Sequence, residues 1–475
     1  MNALGYLILF LAALTVVVAL SRNFVHGTCV AVAFLIATPA ALRIPTGLFF
    51  LTPQRLIIVL LLLFWLSARR GLPIPPARPH LRLLLLFGLS QAFSVMLSVT
   101  PVESIKNFLD FGIETVVFYI IISGTITAVE DALLLLRYAC LGAGVAAFIG
   151  FLQHYTGFDI YTLTGTVANA SLRNYDETMA GTSTFPHRIL FGYAMAMAAP
   201  LLVALLALAK GLGSRLRTFA LLGLVSGACF FATSRGPWLA AGLACGGLWL
   251  FCTAKVRKIL LTAGVLAGVL LVVKPGVWET IDTLYSQTRE EGTVKAKSYH
   301  YRGKLWEVAF SEISMSPARI LFGYGGMSRE GMDLSRYFEA QQGSNIAMLG
   351  YTSWDNNLAA DLLEYGALGF LAETILFAGV LAKLWSARRG SAPAYRDMTT
   401  CLLASCGIFI FAYATVYIYS PQLKCLFWAL AAVGSASVWA PAEDAALEEG
   451  GTREDGSTNV DRPPEVEAAG PAMPA

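Results

Sequence analysis

The sequence predicts an all-α polytopic membrane protein with about twelve to thirteen transmembrane helices and one large external loop containing short helices. Three observations carry that prediction. Of 475 residues, 56% are apolar and 14% charged, with a mean hydropathy of +0.63, whereas a soluble globular chain is roughly half apolar and a quarter charged. The apolar residues fall in runs long enough to cross a bilayer, separated by short basic or Gly/Pro turns. The main exception is one polar stretch from Lys274 to Asn357, which holds Arg302, Arg319, Arg329, Arg336 and Asp355.

The composition also excludes some chemistries. All eight cysteines lie inside or at the ends of apolar runs, with neither a disulfide framework nor metal spacing, and the five histidines form no HxxxH or HExxH pattern. No metal centre and no cofactor are expected. The net charge of +3 decides little, because orientation depends on which loops carry the lysines and arginines.

In chain order, Leu4 to Leu20 is apolar but lacks a basic leader and a small-residue cleavage site, so it reads as a retained helix. Runs at His26 to Leu42 and Leu51 to Leu66 flank the turn at Arg43-Ile-Pro-Thr-Gly47. Arg69, Arg70, Arg78 and Arg82 cluster around a Pro-rich linker, which the positive-inside rule makes cytoplasmic. Further runs follow at Leu83 to Val99, Phe111 to Ile126, Tyr138 to Leu152, Ile189 to Ala209, Thr218 to Thr233, Trp238 to Cys252 and Ile259 to Val273. After the polar loop come Leu358 to Trp385, Thr399 to Tyr419 and Leu426 to Trp439.

Alternation from the first basic loop places Lys210, Arg215 and Arg217 inside, then Lys255, Arg257 and Lys258, then Arg388, Arg389 and Arg396. The same alternation puts the His154 to Arg188 loop, the Ser234 to Pro237 turn and the long loop on the outer face. The expected organisation is therefore residues 1–273 as N-terminal helices with an external loop at 154–188, the large loop at 274–357, C-terminal helices at 358–440, and an acidic disordered cytoplasmic tail at 441–475.

Within the loop, Trp306, Phe310 and Ile313 recur at helical spacing, with Arg302 one turn earlier on the same face. A guanidinium there suits a phosphate head group, and equally suits a snorkelling surface arginine. Arg235 follows an apolar run and precedes Gly236-Pro237, reading either as a ligand-binding cation or as a charge complementing a helix C-terminus. The stretch with Arg173, Asp176, Glu177, His187 and Arg188 is by itself a solvated loop. Asp355 reads as a helix N-cap or a catalytic carboxylate. Asn357, Asp361 and Glu364 recur at i, i+4 and i+7, carrying a polar stripe into an apolar span, where ionisable groups usually face a cavity.

These residues resemble the O-antigen ligase and polymerase superfamily of bacterial envelope enzymes. Thr233-Ser-Arg-Gly-Pro-Trp-Leu239 is similar to its Ser-Arg-Gly turn, and Arg302-Gly-Lys-Leu-Trp306 with Pro317 and Phe322-Gly-Tyr-Gly325 to its Arg-x-x-x-Trp…Pro…Gly-x-Gly element. Asn356 through Leu362-Leu-Glu-Tyr-Gly366 and Leu368-Gly369 resembles the segment closing its periplasmic loop. The likeness runs from Arg173 to Leu381. It departs where ligases of the family carry His-Asn and this chain has Asp355-Asn356, which favours a polymerase.

The resemblance implies a metal-independent inverting glycosyltransferase of the inner membrane, with its active site facing the periplasm. Its donor would be an oligosaccharide on undecaprenyl pyrophosphate, and its acceptor a glycan or lipid A-core, possible partners being other polysaccharide-export proteins and not nucleic acid. It points to Arg235, Arg302 and Asp355 as catalytic and to Arg173, His187, Arg188, Trp306, Asn356 and Glu364 as substrate-binding. Two other readings stand beside it: a transporter or flippase of lipid-linked glycans, which Asp361 and Glu364 would also serve, and a non-catalytic partner of an export complex.

Overall fold

A computed structural model describes residues 1–46, 50–68, 79–166, 181–273, 294–332, 337, 354 and 356–440, with 270–273 and 294–301 described by backbone alone. The chain is an all-α membrane protein. The first helices are α1 (Ala3–Arg22), α2 (Phe24–Ala37), α3 (Pro53–Ala68) and α4 (Leu81–Met96). Then come α5 (Pro101–Phe111), a π-helical turn (Gly112–Val117), α6 (Phe118–Thr125), α7 (Val129–Thr156) and the single turn α8 (Ile160–Leu163). The middle of the chain forms α9 (Arg188–Leu208), α10 (Leu212–Phe231), α11 (Arg235–Phe251) and α12 (Ala254–Val273). The polar stretch contributes α13 (Val294–Ile313) and α14 (Pro317–Phe322), and the chain continues with α15 (Asn357–Gly390), α16 (Arg396–Thr415) and α17 (Pro421–Gly434).

Each apolar run read from the sequence overlaps one of these helices, except that Phe111 to Ile126 crosses from the end of α5 through the π-helical turn into α6. Among the described residues, 7 helical segments are long and apolar enough to span a membrane: α1, Pro101–Thr125, α7, α9, α10, α15 and α16. The shorter apolar helices α2, α3 and α4 pack among them. A two-stranded antiparallel pair, Ile44 with Leu51 and Pro45 with Phe50, interrupts the helical pattern in a place the sequence reading took for a simple turn.

α9 is apolar on every face and almost wholly buried, as a helix with no polar stripe must be when surrounded by others. It packs on α7, α10, α11 and α16. Buried amides fasten one end of this bundle: Gln422 Nε2 donates to the carbonyls of Thr38 (3.0 Å) and Thr184 (2.9 Å), and Gln54 Nε2 donates to Thr38 (3.1 Å). In an apolar interior such groups must find partners, so these bonds fix which helix ends lie together.

The opposite end is basic. Lys255 donates to the Ala207 carbonyl, Arg388 to the carbonyl of Phe251 (3.0 Å) and the hydroxyl of Thr400 (3.0 Å), and Thr253 binds Asp397 through its backbone N–H (2.9 Å). The basic turns assigned to one side by charge thus join α9, α11, α12, α15 and α16 at that end.

Candidate functional site

At the other end, the starts of α9, α11, α15 and α17 meet the end of α16. Arg188 is the first residue of α9 and its Nη1 donates to Thr233 Oγ1 (3.3 Å), two residues before Arg235. Thr233 has φ +45°, a left-handed conformation uncommon for a β-branched residue, so the Thr233 to Pro237 turn is held in place by its surroundings. One of those surroundings is Tyr193: a Cβ on Gly236 would stand 2.5 Å from the Tyr193 hydroxyl, and only glycine permits that approach. Tyr193 in turn bonds Thr415 at the end of α16 (2.9 Å).

Arg235 opens α11, with Ser234 before it at the N-cap. This corrects the sequence reading that offered Arg235 as a cation complementing the C-terminus of the preceding helix, since α10 ends at Phe231. A cation at a helix N-terminus opposes the helix dipole, at about 0.3–1 kcal/mol each, and Arg188 and Arg235 both sit so. Arg302 lies close enough to compound the repulsion: burial first, and then the Arg302 charge, lower Arg235 below its ordinary value. Two helix N-termini and three guanidinium groups thus converge on one half-buried region, an arrangement whose natural complement is an anion.

His187 caps α9 by accepting from Ile189 N–H at Nδ1 (3.2 Å). Burial, then the Arg188 charge, push its imidazole down to about 4, so at neutral pH the ring is uncharged, with its proton on Nε2 as a donor. In this geometry His187 offers a hydrogen bond rather than a base.

Arg302 belongs to α13, whose buried face is Leu305, Val308, Ala309, Glu312 and Ile313. The sequence reading placed Trp306, Phe310 and Ile313 on one face; instead Phe310 is 54% exposed and Trp306 stacks on it at 5.9 Å while meeting Phe370 edge-on at 6.1 Å. Helical spacing alone could not choose between two neighbouring apolar stripes, and packing against α15 selected the one with Leu305 and Ala309. Trp306 is therefore a packing aromatic at the rim of that face.

Beyond α14 the chain makes a tight passage, Gly323 to Gly331, against a break in α15. Gly366 interrupts that helix with φ +65° and ψ −168°, a region open essentially to glycine. A Cβ on Gly366 would lie 2.6 Å from Gly323 N, and one on Gly323 2.5 Å from the Glu364 carbonyl carbon. The freed carbonyls find new partners: Leu363 accepts from Tyr324 N (3.0 Å), and Glu364 from Gly325 N (2.8 Å) and Ser94 Oγ (2.5 Å). The Phe322 to Gly325 and Leu362 to Gly366 motifs are thereby two sides of one contact.

This passage brings Arg329 onto Glu364 as a buried ion pair, with the Arg329 guanidinium 4.1 Å from the centre of the Tyr417 ring. Burial works against the Arg329 charge, but Glu364 and Tyr417 outweigh it and hold the group above its ordinary value. Asn356 caps α15 by accepting from Ala359 N–H (3.2 Å), and Asn357 accepts from Ile418 N–H (2.8 Å). Asp355 and Arg173 lie outside the described residues, as do most of 333–353 and the 441–475 tail.

Residues 219–372 match the family model for O-Antigen ligase. Over those residues the chain is similar to the O-antigen ligase family. No individually curated protein matches the sequence. The part matched to O-antigen ligase contains Arg235, Arg302, Trp306, Asn356 and Glu364, and leaves Arg173, His187 and Arg188 outside it. Sequence reasoning missed the partnership of Arg329 with Glu364 and the groups Tyr413, Tyr417 and Glu373. It also missed Arg55 bound to Asp110 and Glu114 (2.9 Å to Glu114). Asp110 and Glu114, one helical turn apart in an apolar run, were the available signal for that cluster.

Proposed function

We propose that the protein is a metal-independent inverting glycosyltransferase that polymerises oligosaccharide repeats carried on undecaprenyl pyrophosphate, at the periplasmic face of the inner membrane. The observation that carries this reading is the convergence of Arg188, Arg235 and Arg302 at the N-termini of α9 and α11. As the anomeric C–O bond breaks, its electron pair passes to the pyrophosphate, and preorganised guanidinium groups in a water-poor site stabilise that charge. The acceptor hydroxyl attacks the opposite face of the anomeric carbon, inverting it, and gives up its proton to the Asp355 carboxylate. His187 Nε2–H is a hydrogen-bond donor beside the same arginines.

The ligase reading shares this chemistry and differs in the acceptor; the description of the matched family supports it, while Asp355 in place of the ligases' histidine supports the polymerase. Purified protein given the lipid-linked repeat alone is expected to make polymer, and addition of lipid A-core to change nothing. Product formed only with lipid A-core would replace polymerase by ligase. In the same assay, Arg235→Lys and Arg302→Lys are each expected to lose about ten- to hundred-fold in rate, since one charge-assisted contact is worth about 1.5–3 kcal/mol and lysine lacks the planar fork. Lysine variants as active as the parent would remove the arginines from the mechanism.

Orientation has its own test. In a background without native cysteines, Ser314→Cys, in the exposed turn after α13, is expected to react with an impermeant thiol reagent in intact cells, and Ser214→Cys, near the start of α10, only after lysis. The reverse pattern would put the site in the cytoplasm.

A further inference from the structure

The break in α15 divides two acidic residues that the proposed reaction does not use: Asp361 precedes Gly366 and Glu373 follows it. Both are buried, and both reach one group, the buried hydroxyl of Tyr413 on α16, which stands 2.5 Å from Asp361 Oδ2 and 2.5 Å from Glu373 Oε1. Glu373 Oε2 is also buried, with no hydrogen-bond partner among the described residues.

A tyrosine hydroxyl has one hydrogen to donate, and an ionised carboxylate only accepts. Two carboxylates and one phenol therefore cannot satisfy both contacts that the geometry presents. One more hydrogen does satisfy them: a proton on one carboxyl lets that group donate to the phenol oxygen while the phenol donates to the other carboxylate, and it removes the repulsion of two nearby buried anions. The surroundings indicate which carboxyl keeps its charge. Arg329 and Lys424 are both among the strongest charges acting on Asp361, whereas of the two only Lys424 is among those acting on Glu373, and the Glu364 carboxyl and the Tyr365 phenol lie nearby.

We propose that Asp361, Glu373 and Tyr413 form a clasp closed by one shared carboxyl proton, seated on Glu373, which ties the two halves of α15 together across the Gly366 break. The first half carries Asn357 and Glu364, so the clasp sets where Arg329 and the Gly323 to Gly331 passage stand. These three are positioning residues, acting through α15 and not on the substrate. That positioning role rests on the transferase reading; the proton does not.

The test is infrared difference spectroscopy on the full chain in lipid nanodiscs, joined to turnover of the lipid-linked repeat. At neutral pH the parent protein is expected to show a protonated-carboxyl C=O band that shifts in D₂O and is lost in Glu373→Gln. The glutamine amide still donates, so Glu373→Gln should restore most of the turnover that Glu373→Ala loses, a loss of about ten-fold or more for a buried acceptor left unmet. Absence of the band, or its persistence in both Glu373→Gln and Asp361→Asn, overturns the shared proton. Equal turnover in Glu373→Ala and the parent overturns the positioning role. A band that behaves as expected in a protein with no transferase activity upholds the clasp and rejects the proposed function instead.

Discussion

Replacing Glu364 by glutamine is expected to destabilise the protein by about 3–5 kcal/mol, the usual consequence of removing one partner from a buried ion pair. Glu364 and Arg329 are 3% and 2% exposed in their side chains, so water cannot take over the lost contact. Arginine does not deprotonate at accessible pH, and its charge would remain enclosed beside the Tyr417 ring face, 4.1 Å away, and the Met327 sulfur, 3.3 Å from Nη2, neither of which matches a carboxylate. A cation over an aromatic ring returns about 2 kcal/mol at best. The double variant Arg329→Met/Glu364→Leu should recover most of the loss, because exchanging a whole buried pair for apolar groups of similar size is often neutral. Thermal unfolding of the purified variants in detergent measures both effects. Glutamine at position 364 with parental stability would mean that the pair is hydrated and the packing of the Gly323 to Gly331 passage looser than described.

The helical bundle was legible because the lipid solvent imposes a strong rule: backbone groups in hydrocarbon must bond within their own segment, so long apolar runs become helices. The basic turns at Arg215, Lys255 and Arg388 likewise announced a common end through charge alone. What sequence could not supply was the break inside the run from Leu358 to Trp385. Gly366 there looks like any small residue in a membrane helix, and its meaning appears only when Gly323 is found against it. The same holds for Glu364. Its spacing from Asn357 and Asp361 marked it as polar within an apolar span, but the arginine it binds lies on a separate passage, and no periodicity connects residues 329 and 364. Arg188 and Arg235 could be named from their neighbours in sequence, whereas their opposition to two helix dipoles needed the helix starts to be known within a residue. Trp306 shows the converse failure: a spacing that fitted one face of α13 fitted the adjoining face as well.

The Asp355→Asn variant separates a cap from a base. In the chain, Asp355 directly precedes Asn356, and it is Asn356 whose side chain accepts from Ala359 N–H at the start of α15. The N-cap function that an aspartate at 355 could have served is thus already filled by its neighbour, and little helix stability should depend on position 355. Asparagine keeps the shape and hydrogen-bonding reach of aspartate but has no basic carboxylate. If the acceptor hydroxyl gives its proton to Asp355, transfer should fall by about 10²- to 10⁴-fold in Asp355→Asn, the range over which general-base catalysis usually contributes, while membrane abundance and unfolding temperature stay at parental values. Asp355→His puts an imidazole where the ligases of the superfamily carry one, and it is expected to recover part of the rate, since imidazole can take the same proton. The two variants are compared by initial rates of polymer formation at saturating lipid-linked repeat, so that a change in donor binding does not pass for a change in chemistry. Full activity in Asp355→Asn would transfer the base role elsewhere. His187 would be a poor successor, because its Nδ1 is engaged by Ile189 N–H and its Nε2 already carries the proton.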